Sequence, residues 1–188
     1  LLYSRRIGGS PSTYPVTQEN ESVTSYPNSV NLLNAVKISG RTQSGLGVGF
    51  LNAITEQTHA TISNSDTNES RRVIVEPLVN YNLFVLDQRF NGNSSVSFAN
   101  SNVIRDGNYR DANVSALVWD LNTKGNTYKL QGDFKYSYIN DYQDKQGFKT
   151  ALNFMKTHGN HRYDLLAKYI SDNYDLNDMG YSTIVNYY

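Results

Sequence analysis

The chain has 188 residues, 17 Lys and Arg against 17 Asp and Glu, and no cysteine. That length fits one ordinary domain, and the balanced charge leaves no field aimed at nucleic acid or anionic lipid. Without thiols there are no disulfides, no thiolate catalysis and no zinc–thiolate site.

A mean hydropathy of -0.55 looks like that of a soluble protein, but a β-barrel faces lipid with only every second residue and has an equally low average. A spanning helix needs about 20 predominantly apolar residues, and the longest apolar runs here are of the type Leu83-Phe84-Val85-Leu86. The opening Leu1-Leu2-Tyr3-Ser4 has no Met, basic n-region or apolar h-region. We therefore read a mature chain or an internal piece of something longer. Fifteen tyrosines against one tryptophan and seven phenylalanines suit membrane–water boundaries, which amphipathic rings favour.

Residues 1–29 hold Pro11, Pro15, Pro27 and Gly8-Gly9 among many Ser and Thr, which predicts a loop or extracellular segment after a strand end at Leu1–Ile7. The first clear strand is predicted over Val30–Ser39, with Leu32, Val36 and Ile38 on one face and Ala35, Lys37 and Ser39 on the other. A turn at Gly40–Gly45 leads into Leu46–Thr55, which carries Leu46, Val48, Phe50 and Ile54 together. The polar stretch Glu56–Arg72 reads as a long loop. Glu76–Phe90 groups Val79, Tyr81, Leu83 and Val85 against Asn80 and Asn82.

Asn91-Gly92-Asn93 is a hairpin signal, because Asn and Gly tolerate the positive φ that such turns need. Ser94–Asn100 follows as a strand and Ser101–Ala112 as a polar loop. Asn113–Asn122 places Ser115, Leu117, Trp119 and Leu121 on one side, and Thr123-Lys124-Gly125-Asn126 turns it into the cleanest segment, Tyr128–Tyr138. There Tyr128, Leu130, Gly132, Phe134, Tyr136 and Tyr138 interleave with Lys129, Gln131, Asp133, Lys135 and Ser137, so a strand has one apolar and one charged face. After a loop at Asn140–Gln146, Gly147–Thr157 sets Phe148, Leu152 and Phe154 against Lys149 and Asn153. His158-Gly159-Asn160 turns into Arg162–Ser171, with Tyr163, Leu165, Ala167 and Tyr169 against Arg162, Asp164 and Lys168. A polar loop, Asp172–Gly180, precedes a further strand begun at Tyr181–Tyr188.

Tight turns and longer loops thus alternate between strands of about the length that crosses an apolar layer. The fold expected is all-β: an antiparallel up-and-down meander of about eight or more strands over residues 30–188, a transmembrane β-barrel or part of a larger one. Lys37, Asn80, Asn82, Gln131, Asp133, Lys135, Lys149, Asn153, Arg162, Asp164 and Lys168 are expected to face the lumen. Val36, Ile38, Val48, Phe50, Tyr81, Leu83, Val85, Leu117, Trp119, Leu130, Phe134, Tyr136, Leu152, Phe154, Leu165 and Tyr169 are expected to face lipid.

The blocks Leu2-Tyr3-Ser4-Arg5-Arg6-Ile7-Gly8, Ala35-Val36-Lys37-Ile38-Ser39-Gly40-Arg41-Thr42 and Gly49-Phe50-Leu51-Asn52-Ala53-Ile54-Thr55 resemble the start of a C-terminal domain of unknown function. Val75-Glu76-Pro77-Leu78-Val79-Asn80-Tyr81 and Tyr174-Asp175-Leu176-Asn177-Asp178-Met179-Gly180-Tyr181 extend the resemblance in the same order. That domain occurs in large Bacteroidota surface proteins, usually behind a domain similar to family-9 carbohydrate-binding modules. The resemblance implies an outer-membrane β-barrel longer than this chain, and it brings no catalytic residues.

The remaining motifs are spare. Arg5-Arg6 beside Gly8-Gly9 suits phosphate or lipopolysaccharide headgroups, which a guanidinium grips bidentately, or equally an anchor against wall carboxylates. Gly45-x-Gly47-x-Gly49 lacks the spacing and following helix of a phosphate loop and suits a crowded, curved sheet. His158 and His161 lack a third metal ligand. Asp175, Asn177 and Gly180 occupy positions one, three and six of a calcium loop, but Met179 stands at position five, where an oxygen ligand is required, and no Glu closes the loop at position twelve. No metal or cofactor is expected, and neither G-x-S-x-G nor a placed Ser-His-Asp set supports an enzyme. The expected function is transport, surface assembly or anchoring in the bacterial outer membrane. Its partners would be outer-membrane lipid and other outer-membrane or surface proteins, and no nucleic acid. The alternative is a soluble β-sandwich or barrel that binds carbohydrate, keeping the same alternation with the apolar faces turned inward.

Overall fold

The computed structural model describes residues 7–175. Among them there is no helix; eleven strands form two antiparallel sheets. The main sheet has the order β11-β10-β9-β8-β7-β6-β3-β2. In chain order its strands are β2 (Leu32–Arg41), β3 (Leu46–Thr55), β6 (Val79–Phe90), β7 (Ser94–Arg105), β8 (Asp111–Asn122), β9 (Tyr128–Asn140), β10 (Lys145–Lys156) and β11 (Tyr163–Ile170). Each strand pairs with its predecessor in this list, the up-and-down meander expected of the alternation. β2 and β11 are the two edges of the sheet, and no pairing between them is present among the described residues. The strand begun at Tyr181–Tyr188, the strand end at Leu1–Ile7 up to Arg6, the Arg5-Arg6 pair and Asn177 lie outside the described residues.

The hairpins follow from local chemistry. Asn91 and Gly92 adopt φ of 53° and 75°, the left-handed pair that matches the twist of two strands joined by a short turn.

The loops, by contrast, differ from expectation. The polar stretch Glu56–Arg72 is no loop: β4 (Thr58–Asn64) and β5 (Ser70–Glu76) form a hairpin, and β1 (Glu21–Ser25), inside the predicted N-terminal loop, adds to β4. Ala60, Ile62 and Val75 supply its buried side, while Asn64 Oδ1 closes the turn by accepting from the backbone of Asp66 and Thr67. Few apolar residues among many Ser, Thr and Asn hid a strand pair that burial on one side suffices to hold.

β7, β8, β9 and β10 also run further than expected, leaving only residues 106–110 and 141–144 as connections. Apart from the long excursion at residues 56–78, connection lengths at the two ends of the sheet are therefore similar.

The buried core sits at the loop end. Ala53, Tyr81, Val103, Ala112 and Ile139 form one transverse row across β3, β6, β7, β8 and β9, each at most 5% exposed. Ile7 and Leu51 pack against its Ala53–Tyr81–Val103 part.

Candidate functional site

Residues directly opposite in an antiparallel pair share a face, so the register sorts the side chains of the main sheet. One face carries the row Val48–Leu86–Phe98–Leu117–Phe134–Thr150–Tyr169 from β3 to β11. Toward the loops lies Phe50–Phe84–Asn100–Ser115–Tyr136–Phe148, and toward the turns Leu46–Gln88–Val96–Trp119–Gly132–Leu152–Ala167. A fourth row includes Leu121, Leu130, Phe154 and Leu165. No Asp, Glu, Lys, Arg or His stands in these four rows. The band is open, with Phe134 43% and Leu165 62% exposed.

Aromatic rings tile it over β9 to β11. Phe148 lies 5.8 Å from Phe134 and 5.3 Å from Tyr169, and Phe154 lies 6.1 Å from Tyr128 and 5.9 Å from Tyr163, all within the range of favourable ring pairs. Trp119 covers Gly132, where an added Cβ would come within 2.3 Å of the indole.

Toward the loops the band ends in one row, Asn52–Asn82–Asn102–Asn113–Tyr138–Gln146. Tyr138 and Tyr136 donate their hydroxyls to Asp144 (3.0 Å) and Gln146 (2.9 Å). Toward the turns it ends at Tyr128, Lys156 and Tyr163.

The opposite face is charged. Arg41 reaches over Gly47 to Asp87, which also accepts from Ser97 Oγ at 2.7 Å. Lys129 pairs with Asp120 at 3.0 Å and Lys135 with Asp133 at 3.6 Å, while Gln131 donates to Asp120 at 2.8 Å.

Two segments lie on this face at the loop end. Ile7 meets the core row, and residues 173–175 cross Gly147 so closely that a Cβ there would meet the Tyr174 backbone at 2.3 Å. Asp175 donates its backbone N–H to Ser137 Oγ (3.1 Å) and pairs with Arg110 (2.9 Å). Burial, and then the charge of Asp133, push the Tyr174 phenol up to about 12.

Of the residues expected on a lumen face, Lys37, Gln131, Asp133, Lys135, Lys149, Asn153, Asp164 and Lys168 share the charged face. Arg162 precedes β11 and donates to the Gly159 carbonyl across the turn. Asn80 and Asn82 are corrected: they stand on the band face beside Asn52.

Of those expected to face lipid, Val36, Ile38, Val48, Phe50, Leu117, Trp119, Leu130, Phe134, Tyr136, Leu152, Phe154, Leu165 and Tyr169 share the band face. Tyr81, Leu83 and Val85 are the matching correction, since they stand on the charged face. β6 is apolar in both phases, and its cleaner phase is the one packed against Ala53, Val103 and Ile7.

Asp175 is engaged by Arg110 and Ser137, and no group of three or more His, Cys, Asp or Glu suited to a metal occurs among the described residues. The carboxamide row was missed. Its signal is visible only after pairing, as Asn residues far apart in sequence fall on one line.

A family model described as a domain of unknown function (DUF5916) matches residues 1–188. No curated protein and no solved structure matches the chain.

Proposed function

This chain belongs to that family of unknown function, and we propose that it forms part of the wall of a bacterial outer-membrane β-barrel, with acyl chains on the band face and water on the charged face. Such a wall serves as an anchor, in surface assembly or in transport, with outer-membrane lipid and neighbouring surface proteins as its partners.

One observation carries the reading: four successive rows across the main sheet hold no charged residue, while the ion pairs Arg41–Asp87, Lys129–Asp120 and Lys135–Asp133 lie on the other face. At about 4.8 Å between strands and about 6.7 Å between rows on one face, the band covers on the order of 1,000 Å². The largest apolar patch of an ordinary monomer is about 300–600 Å². Hydrocarbon wets the Leu, Val, Phe and Trp side chains that dominate such a surface without penalty, and an antiparallel sheet satisfies its own backbone groups there.

The tyrosines support the same reading. Tyr128 and Tyr138 bracket the band on β9; their separation is about 33 Å along a strand, which a tilt of about 40° reduces to about 25 Å, the height of the apolar belt of such barrels.

The test uses the intact protein in bilayers, with single cysteines at Lys129, Leu130, Phe134 and Lys135 carrying nitroxide labels. Collisions with oxygen are expected to dominate at Leu130 and Phe134, and collisions with a water-soluble nickel complex at Lys129 and Lys135. Water access at Leu130 and Phe134 rejects the proposal. Protection of those two positions from both probes gives instead a protein layer over the band, as in a soluble sandwich, and so does monomeric solubility without detergent.

A further inference from the structure

At the loop-end border the band face changes chemistry in one step. Asn52, Asn82, Asn102 and Asn113 stand opposite one another on four adjacent strands. Asn52 Nδ2 donates to Oδ1 of Asn80 (2.7 Å) and Asn82 (2.8 Å). Asn100 Nδ2 donates to Asn113 Oδ1 (3.0 Å) and Ser115 Oγ (2.9 Å). These bonds build two fixed clusters but do not saturate them. The Asn102 carboxamide, between the clusters, bonds to no described residue, and Asn80 Nδ2 donates to none.

Among the described residues the border carries no cation. The formal charges next to it on this face are carboxylates, Asp144, which accepts from the Tyr138 hydroxyl, and Asp111, one row further out, so a phosphate meets repulsion rather than a partner. A half-buried carboxamide offers two donors and an acceptor side by side, which is the complement of a hydroxyl. Tyr138, opposite Asn113, continues the row with an amphipathic ring.

We propose that this row binds the sugar hydroxyls of a glycolipid headgroup whose acyl chains lie on the band. The proposal rests on the membrane reading above and adds a headgroup class to it. Sugar recognition here is neutral, by paired amide donors and acceptors, and discriminates against phosphate heads.

The intact protein is exchanged between dodecyl maltoside and dodecylphosphocholine, which share a tail and differ in head. Side-chain amide resonances of Asn80, Asn82 and Asn102 are expected to move on exchange and to show cross-peaks to maltoside sugar protons. Asn102→Ala removes a side chain that bonds to no described residue, so it is expected to fold as the parent does. It should lower the preference for maltoside over phosphocholine by about threefold to tenfold, the worth of one hydrogen bond. Equal preference in parent and variant overturns the proposal, as does a parent preference for phosphocholine. Cross-peaks from detergent tails to the Leu117 and Leu130 methyls report the membrane reading separately. Their loss sinks that reading, while their persistence without sugar cross-peaks sinks the headgroup site alone.

Discussion

Phe134 and Lys135 are neighbours in sequence and belong to different solvents in the reading above. Phe134→Arg places a cation amid the uncharged rows, at an expected cost of about 2–4 kcal/mol if the site lies near the bilayer midplane. Lys135→Gln loses an ion pair at 3.6 Å whose lysine is 29% exposed, worth about 0–1 kcal/mol. Urea unfolding of the protein in lipid vesicles measures both, and equal costs would contradict the assignment of the faces.

Gly132 makes a steric prediction. A methyl there collides with Trp119 and with the Ala151 carbonyl, 2.7 Å away, so Gly132→Ala is expected to cost about 1–3 kcal/mol through overpacking. Because Trp119 is the one tryptophan, its fluorescence maximum should shift with the loss, and an unchanged spectrum at unchanged stability would contradict the packing.

Glu21 carries the pH prediction. Its carboxylate accepts from Arg71 Nε (2.9 Å) and Nη2 (2.8 Å); this bond, with one from the Gln18 backbone, lowers its pKa from 4.5 to about 2. A depressed carboxylate stabilises the fold above its unfolded pKa, and the contribution is lost as pH falls through the folded value. Protection of β1 amides is therefore expected to hold above about pH 4.5 and to weaken toward about pH 2, and Glu21→Gln should remove that dependence.

At the scale of elements, β6 and the β4–β5 hairpin show what alternation leaves open. β6 alternates apolar residues in both phases, Tyr81, Leu83 and Val85 in one and Phe84, Leu86 and Phe90 in the other, and only its register with Gly49 and Phe50 on β3 decides which phase joins the band. The segment 173–175 is a further element that no local pattern announces, since it is held by contacts to Gly147, Ser137 and Arg110. Gly147→Val is expected to displace it and to bring the Tyr174 phenol back from about 12 toward the ordinary value of about 10. A tyrosine carbon-13 titration reads that change. The sign is fixed: a raised phenol pKa stabilises the seated segment below about pH 10, and that contribution disappears as pH rises through about 12. A phenol that still titrates at the parent value in the variant would show that Gly147 does not seat the segment.

For the whole molecule, the two edges of the main sheet carry the prediction. β2 and β11 carry band residues such as Ile38 and Leu165, 63% and 62% exposed, and among the described residues each presents an unpaired row of backbone donors and acceptors. Such an edge is a liability in water and costs several kcal/mol per unmet group in hydrocarbon. Closure in the intact protein therefore predicts slow hydrogen exchange at the outward amides of both β2 and β11, comparable with β8 and β9. Fast exchange along either edge would rule out a closed barrel.

The sequence by itself determined the strands of the main sheet to within a few residues, their antiparallel order and their hairpin turns. These depend on a period of two and on residues such as Asn91 and Gly92, properties of a few consecutive positions. Only the tertiary structure decided which phase of β6 is buried, that a polar stretch holds a strand pair, that carboxamides from four strands form one row, and that residues 173–175 cross the charged face. Each of these depends on which distant residue comes to lie opposite or above, and pairing and burial settle that after the chain has closed its long-range contacts.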